Sequence, residues 1–180
     1  IASQAQATVY QNPFQDFGAQ KNYAMNKASH EWILNLDADE RLSPELAAEI
    51  KAMKVNGWPT APAGFSIKRK TWYLGRWINH SGWYPDNKIR FFRKANASWH
   101  GKIHEHLLLS GKIEQLPGHI LHFTYRNIAD HIRRINSYSK MLAAEIIRKK
   151  TKYLGSRLCI LPPVTFFKHF FLKFGFLDGF

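Results

Sequence analysis

The sequence contains a single cysteine, Cys159, which excludes an intrachain disulfide and a cysteine-based zinc knuckle. It also lacks Pro/Gly-rich stretches and internal repeats with a period of roughly 20 to 50 residues, so neither a disordered chain nor a repeat protein is predicted. No uninterrupted apolar run reaches the roughly 20 residues that a membrane-spanning helix needs. Together these absences predict a folded domain in a reducing, cytoplasmic setting.

Acidic residues are scarce beyond position 50. Residues 1–50 carry seven acids and three bases, whereas residues 51–180 carry six acids and 23 bases, within a total net charge of +13. A basic body with a local acidic patch fits an anionic partner together with a site for a cation. Nucleic acid, an anionic membrane surface and a phosphorylated substrate are all consistent with this balance.

The 180 residues are enough for one well-packed domain. The opening residues from Ile1 show neither the basic segment nor the apolar core of a signal peptide. We therefore expect the chain to be an interior piece of a longer protein.

The first 56 residues predict half of an α/β unit. Asp16 can cap a helix that runs from Phe17 to about Ala28. The apolar run at 31–36 is typical of a buried parallel strand, and Ser43-Pro44 predicts a second helix that ends near Met53.

The region from residue 57 to about 120 predicts antiparallel strands and loops. Its aromatic and β-branched runs are separated by Gly, Pro and Asn, and they lie at 65–67, 71–73, 88–92 and 103–109. An amphipathic helix is then predicted from Asn127 to about Lys150, because Ile128, Ile132 and Ile135 recur at helical spacing.

The last segment, 158–180, is rich in Phe and Leu and also contains Lys168, His169 and Lys173. A helix lying in the membrane interface, with its lysines toward headgroups, is one interpretation. A helix packed on another part of the protein is the other.

The acidic turn Asp37-Ala38-Asp39-Glu40 directly follows the predicted buried strand. Two carboxylates at this spacing can bind a hard divalent cation such as Mg²⁺ or Mn²⁺, often shared with substrate phosphates. The carboxyl end of a strand is also where open α/β sheets bind ligands. The alternative is a turn in which an aspartate caps the following helix.

Two segments, FGAQKNYA at 17–24 and EWILNLDADE at 31–40, resemble glycosyltransferase family 2. With DNKIRFFR at 86–93 and GKIHE at 101–105, the chain resembles the bacterial branch that adds sugars to the lipopolysaccharide core. The resemblance extends from about residue 14 to 145.

The resemblance implies the A-type glycosyltransferase fold, an α/β fold with a Rossmann-like nucleotide-sugar domain. The family's opening strands and first nucleotide-binding loop have no counterpart here and would precede Ile1. It implies a partial catalytic domain at 1–125, with 1–56 on the donor and metal side and 57–125 on the acceptor side. Residues 126–180 would form a helical region that associates with membranes.

The resemblance also implies roles for single residues. Asp39 would bind the metal that bridges the donor diphosphate, while Asp37 would contact the ribose or sugar, or reach the metal through water. Lys21 and Asn22 would lie beside the nucleotide. Lys21 could equally be a solvated helix lysine.

An inverting transfer needs a base that takes the proton of the acceptor hydroxyl. Glu105 lies where the family commonly carries its catalytic acid, and Asp86 is the alternative. Between Lys51 and Ile113 the sequence has no other acid.

Trp83, Tyr84, Arg90 and His104 are the candidate acceptor-binding residues. Aromatic faces stack on sugar rings and guanidinium groups pair with phosphates, although the same mixture would suit single-stranded nucleic acid, and core aromatics would serve packing alone. The histidines at 100, 104, 106, 119 and 122 suggest a zinc site, but no His-Glu-x-x-His signature supports one. Structural or substrate-contacting histidines are therefore expected.

The sequence thus predicts a metal-dependent enzyme that moves a sugar, most simply from a UDP-sugar, to a lipopolysaccharide-core or other lipid-linked saccharide. It would act as a peripheral protein at the cytoplasmic face of the plasma membrane, on anionic lipid. Nucleic acid is not expected as a partner, because no known nucleic-acid motif is present. A basic aromatic module that binds nucleic acid and a non-catalytic fragment are the alternatives.

Overall fold

The computed structural model describes residues 2–101, 105–125, 127–148 and 154–179 and has a mixed α/β architecture. Its helices are α1 (Phe17–Lys27), α2 (Pro44–Val55), α3 (Ile128–Arg148) and α4 (Leu154–Phe167). Its strands are β1 (Trp32–Leu34), β2 (Glu40–Leu42), β3 (Gly64–Tyr73), β4 (Arg76–Ile78), β5 (Asp86–Arg93), β6 (Ala97–His100), β7 (His106–Leu109) and β8 (Ile113–His122). A π-helical turn at Lys168–Leu172 and a 3₁₀ turn at Gly175–Asp178 follow α4.

The larger sheet has the strand order β1-β5-β3-β8-β2, with β4 paired to β3, and β6 and β7 form a smaller sheet. Strand β1 pairs with β5, β2 with β8, β3 with β4 and β6 with β7, each in antiparallel register. Antiparallel strands in the middle of the chain are therefore confirmed.

The chain divides into two compact units. The first unit comprises Ile1–Leu36, Ala48–Ile67 and Lys88–Pro117, and the second comprises Asp37–Ala47, Lys68–Asn87 and Gly118–Phe180. Both units therefore draw on several separate stretches of the chain. The functional division at residues 56 and 125, which the family resemblance implies, stays a prediction.

The prediction of a parallel strand at 31–36 is wrong in direction. The strand is β1, and Trp32 pairs with Arg93 and Leu34 with Phe91 in antiparallel register. Its apolar character comes instead from burial on both faces. Trp32 packs against Phe91, with the ring centroids 4.7 Å apart, and Ile33 packs in a cluster with Met25 and other residues. An apolar run reports burial and carries no information on strand direction.

Two strand boundaries also differ from those predicted. The runs at 65–67 and 71–73 belong to one ten-residue strand, β3, rather than to two. The strand predicted at 103–109 begins at His106 in the described part of the chain, and residues 102–104 lie outside the described residues.

The helix starts agree with the local capping signals. Asp16 Oδ1 accepts the N–H of Ala19 at 2.7 Å, and Asn127 Oδ1 accepts the N–H of Asp130 at 2.8 Å. Ser43 Oγ accepts the N–H of Leu46 at 3.3 Å at the start of α2. Each side chain satisfies a backbone donor that the first helical turn leaves unpaired.

The interior of the first unit is aromatic. Phe91 and Phe92 are adjacent in β5 and fully buried, so their side chains fill opposite faces of the sheet. Phe91 packs against Trp32 and Phe65, and Phe92 packs against Trp99.

The second unit is organised by contacts between β8 and α2. Ser43 donates its N–H to the His119 carbonyl at 2.9 Å, and its hydroxyl accepts the His119 N–H at 3.2 Å. Leu46 is fully buried against the backbone of Gly118. These contacts hold the start of α2, which follows the acidic turn and β2 in the chain, against β8.

Gly118 is required by the close approach of Leu46. A Cβ at this position would lie 2.5 Å from the Leu46 Cβ and 2.7 Å from the Leu46 backbone nitrogen. We expect Gly118→Ala to lower the free energy of unfolding by about 1–3 kcal/mol, the usual cost of overpacking, as measured by urea unfolding.

Gly155→Ala in α4 is the matched control. No described atom lies within 4 Å of the added Cβ, so the substitution should raise stability by at most about 1 kcal/mol through helix propensity. Equal effects of the two substitutions would contradict the role of Gly118.

Candidate active site

The acidic turn is closed by its own last residue. Glu40 donates its N–H to the Asp37 carbonyl at 3.0 Å, and the Asp37 N–H donates to Glu40 Oε2 at 3.1 Å. The Glu40 side chain is completely buried, whereas that of Asp39 is 35% exposed. Glu40 therefore faces inward and shapes the turn, and Asp39 is left at the surface of the second unit.

Arg69 in β3 connects the buried Glu40 to Asp86. Its Nη1 lies 3.3 Å from Glu40 Oε1, and its Nε and Nη2 lie 2.9 and 2.7 Å from Asp86 Oδ2. Charge-assisted bonds of this kind are stronger than neutral ones and hold both carboxylates in place. One guanidinium thus fixes the acidic turn and the alternative candidate base relative to each other.

His122 lies beside the acidic turn because β2 pairs with β8, with Glu40 opposite His122. Its Nε2 is 3.5 Å from Asp39 Oδ2, and its side chain is 15% exposed. Burial, and then the charge of Arg69, lowers the pKa of His122, so the ring is neutral at neutral pH. Its Nδ1 is buried without a hydrogen-bond partner among the described residues.

Two cavities of the second unit border these residues. One, of about 330 Å³, is lined by Arg69, Asp86, His122, Trp83, Thr124 and Tyr125. The other, of about 550 Å³, is lined by Ala38, Asp39, Arg41, Phe123, Thr124 and Arg134. The first combines a carboxylate with aromatic walls, and the second combines a carboxylate with two guanidinium groups.

The carboxylates around Asp39 fit a magnesium-type ion if a substrate diphosphate supplies further ligands. No group of three or more His, Cys, Asp or Glu side chains able to hold a metal exists within the described ranges. Mg²⁺ commonly uses only one or two protein carboxylates and completes its octahedron with water and substrate phosphates. Asp39, with Asp37 two residues before it, can supply those carboxylates if a diphosphate supplies the rest.

Lys21 and Glu105 form an ion pair in the first unit. Lys21 Nζ lies 2.9 Å from Glu105 Oε1, and it also lies 4.5 Å from the ring centroid of Trp99. The Glu105 side chain is 22% exposed. The solvated state considered for Lys21 is wrong, because this lysine is paired and only 14% exposed.

Asn22 binds the backbone of Trp99 with both ends of its carboxamide. Its Nδ2 donates to the Trp99 carbonyl at 2.8 Å, and its Oδ1 accepts the Trp99 N–H at 2.9 Å. This two-way contact joins α1 to β6. Asn22 therefore has a structural function. The contact of Asn22 to a nucleotide stays a prediction.

The three predicted acceptor residues that the structure describes have different neighbours. Trp83 lines the 330 Å³ cavity, whereas the Tyr84 hydroxyl lies 3.0 Å from His119 Nε2. Arg90 is only 5% exposed and donates from Nη1 to Asn35 Oδ1 at 3.0 Å, so its geometry gives no support to acceptor binding. His104 lies outside the described residues.

The other histidines have ordinary polar or aromatic neighbours. The rings of His100 and His106 lie 6.2 Å apart in the first unit, and His100 Nε2 is 3.0 Å from Ser98 Oγ. Burial, followed by the charges of Lys70 and Lys68, lowers the pKa of His119. These contacts are those of structural histidines.

Sequence reasoning missed the roles of Glu40, Arg69 and His122. Glu40 is the last acid of a surface turn in the sequence, yet it is the most buried carboxylate of the site. Its pairing with Arg69 spans 29 positions, and local pattern carries no signal for such a contact. Sequence reasoning also missed Tyr125, which lines the 330 Å³ cavity and stacks on His131 with the ring centroids 4.1 Å apart.

The chain is similar to several proteins named as glycosyltransferases, although no protein-family model matches it. It is 29% identical over its whole length to uncharacterized glycosyltransferases of Rickettsia typhi and Rickettsia prowazekii. It is 26% identical over 88% of its length to the lipopolysaccharide core biosynthesis glycosyltransferase LpsC of Rhizobium meliloti. The chain spans 65% of the length of the two rickettsial relatives and 59% of LpsC.

The predicted resemblance to glycosyltransferases, including one of lipopolysaccharide core biosynthesis, is thereby confirmed. These relatives are named for glycosyl transfer, and the chain has a mixed α/β fold.

The buried charge of Glu40 gives a direct test of the site's architecture. Glu40→Gln keeps the side chain's size and its acceptor for the Asp37 N–H but removes the charge that faces Arg69. We expect the free energy of unfolding to fall by about 1–3 kcal/mol, the cost of losing a charged hydrogen bond in a buried position, measured by chemical denaturation.

Glu114→Gln is the control, because Glu114 pairs with Lys112 on an exposed surface and should change stability by less than about 0.5 kcal/mol. A Glu40→Gln protein as stable as this control would show that the Arg69 contact does not organise the turn.

Proposed function

We propose that the chain is the catalytic part of a metal-dependent, inverting glycosyltransferase of family 2, with the A-type, Rossmann-like nucleotide-sugar fold. The observation that carries the proposal is the Glu40–Arg69–Asp86 connection. It joins the acidic turn to a carboxylate that lines a cavity, all within the second unit. The similarity to named glycosyltransferases supports the reaction class.

Asp39 is the proposed metal ligand on the donor side, with Asp37 binding the ribose or sugar, or the metal through water. Asp39 lines the 550 Å³ cavity together with Arg41 and Arg134. Guanidinium groups pair well with phosphate oxygens, so this cavity suits the diphosphate of a UDP-sugar. A bound Mg²⁺ or Mn²⁺ would offset the charge of the departing diphosphate.

Asp86 is the proposed general base, ahead of Glu105. Asp86 lines the 330 Å³ cavity with His122, which also contacts Asp39, so one unit holds both halves of the proposed chemistry. Glu105 forms its ion pair with Lys21 in the first unit. The choice between the two acids, which the sequence left open, therefore moves toward Asp86.

The proposed transfer forms one bond and breaks another. The acceptor hydroxyl oxygen bonds to the anomeric carbon while the bond from that carbon to the diphosphate oxygen breaks. The hydroxyl proton passes to the Asp86 carboxylate, and Arg69 keeps that carboxylate oriented. Because Glu40 also engages Arg69, the guanidinium charge is divided between two carboxylates rather than neutralising Asp86 alone.

The proposed acceptor is a lipopolysaccharide-core or other lipid-linked saccharide. Trp83 and Tyr125 give the Asp86 cavity aromatic walls, which suit the apolar faces of sugar rings. The name of the LpsC relative supports this class of acceptor, and the basic composition of residues 51–180 suits phosphorylated core sugars.

The proposed location is the cytoplasmic face of an anionic membrane. The apolar side chains Ile128, Ile132 and Ile135 of α3 are about half exposed. The segment from α4 to the 3₁₀ turn exposes many further apolar side chains and carries Lys168 and Lys173. At a membrane surface, the lysines would contact anionic headgroups and the exposed apolar side chains would contact acyl chains. No helix within the described ranges has the length and apolarity to cross a bilayer.

Donor binding tests the role of Asp39. We expect UDP with Mn²⁺ to raise the melting temperature of the full-length protein, with stabilisation of about 2.7 kcal/mol at 100 times the Kd. Asp39→Asn should remove this shift, because it removes the carboxylate charge, while the exposed variant Glu114→Gln should keep it. Salt-sensitive oligonucleotide binding without any metal-dependent UDP shift would favour the nucleic-acid alternative and overturn the enzyme.

The two candidate bases can be separated by kinetics. We expect Asp86→Asn to lower kcat by about 10²–10⁴-fold while the UDP-dependent melting shift remains, since a base acts on the acceptor proton and not on donor binding. Glu105→Gln should change kcat by less than about threefold. The reverse pattern would assign the base to Glu105, as the family resemblance alone implied.

A further inference from the structure

A third cavity of the second unit is mainly apolar and has no role in the proposed chemistry. Its volume is about 420 Å³, within the range of small-molecule sites. Its apolar lining comes from Tyr73, Leu74, Ile78 and Trp83, and Arg76 and Asp178 contribute charged groups. Because the Asp178 carboxylate already accepts the N–H groups of Asn79 and His80, such a cavity suits a ligand with an apolar body and an anionic group that faces Arg76.

Leu74 is an unusual residue at the place where it lines this cavity. Leu74 and Gly75 form the two-residue turn between β3 and β4, with φ of +45° and +90°. Turns with two positive φ values favour Asn, Asp or Gly, and a left-handed conformation costs an L-residue about 1–2 kcal/mol. Leu74 is also 46% exposed, so burial does not offset this cost. The strained, exposed leucine therefore indicates a function for its apolar side chain.

Asp178, which also lines the cavity, is held in place by several hydrogen bonds. Its carboxylate accepts the N–H groups of Asn79 and His80, each at 2.9 Å, and lies 3.0 Å from His80 Nδ1. Its carbonyl accepts a bond from Arg76 Nη1 at 2.5 Å. Two further bonds act nearby, since Ser81 donates its N–H to the Lys173 carbonyl and accepts from His169 Nδ1. The cavity is thus a preformed site between two bonded segments.

Trp83 connects this cavity to the proposed reaction site. The same indole lines both the apolar cavity and the 330 Å³ cavity that contains Asp86. Its ring lies 5.4 Å from that of Tyr73, which continues the aromatic wall. A ligand that spanned both cavities would place a polar end near Asp86 and an apolar end beside Leu74.

We propose that the cavity lined by Tyr73, Leu74, Ile78 and Trp83 binds a hydrocarbon chain of an anionic lipid, with the Arg76 guanidinium facing its charged group. The inference rests on the proposed function only in identifying this lipid with the acceptor. A sugar ring alone would find too few polar partners here, because hydroxyl groups placed against an apolar wall lose their hydrogen bonds to water. Helix α3 contacts the cavity wall, because its His131 Nδ1 lies 2.7 Å from the Tyr73 hydroxyl, and it also exposes apolar side chains that suit a bilayer.

The test measures binding of monomeric decyl phosphate to the full-length protein by titration calorimetry, with neither donor nor metal present. We expect saturable binding of one molecule per chain and none for inorganic phosphate at the same concentration. Leu74→Asn should weaken binding tenfold or more, while its melting temperature stays equal or rises, because Asn favours the left-handed turn. Leu74→Met, which keeps the apolar volume, should bind within about threefold of the wild type.

Several outcomes would overturn the inference. They are equal binding of inorganic phosphate, equal binding by Leu74→Asn, and unsaturable uptake that Leu74→Asn leaves unchanged. Because these titrations contain no donor or metal, their result is independent of transfer activity. Conversely, absence of the Mn²⁺-dependent shift in melting temperature with UDP would contradict the proposed enzyme function but not the site for a hydrocarbon chain.

Discussion

The candidate site depends on one buried carboxylate. The Glu40 side chain has no exposed surface, and a carboxylate in that position is tolerated only if charge and hydrogen bonds compensate its desolvation. Arg69 supplies the charge and the Asp37 N–H supplies a hydrogen bond. Because these contacts hold Glu40 inward, the neighbouring Asp39 is left part-exposed at the surface of the second unit.

Local signals in the sequence predicted local structure well. The starts of α1, α2 and α3 follow from Asp16, Ser43 and Asn127, because a capping side chain acts within three residues of its own position. The direction of β1 was not predictable from Trp32-Ile33-Leu34. Pairing partners decide strand direction, and both faces of β1 are buried in either case.

The sequence predicted which residues form the candidate site better than it predicted which of them contact each other. The acidic turn and the two candidate bases are evident from the sequence, since carboxylates are so rare in the middle of the chain. Their pairing with Arg69 and Lys21 depends on tertiary structure. Asn22 shows what a motif does not reveal. Its place in the motif suggested a ligand contact, and its carboxamide binds the backbone of Trp99, 77 positions away in the sequence. A motif identifies a residue type, and only the fold shows which of its atoms are already engaged.

The sharing of Arg69 between Glu40 and Asp86 has an electrostatic consequence. Arg69 contacts two carboxylates, those of Glu40 and Asp86, while the His122 ring beside Asp39 is neutral. Within a protein of net charge +13, two carboxylates therefore share the charge of Arg69 at this point. Mobile ions screen solvent-exposed charges beyond about 8 Å at physiological ionic strength but act weakly on buried pairs. Added salt should thus weaken the proposed long-range attraction to anionic lipid while leaving the buried Glu40–Arg69 pair nearly intact, so that ionic strength separates the proposed membrane recruitment from the integrity of the acidic turn.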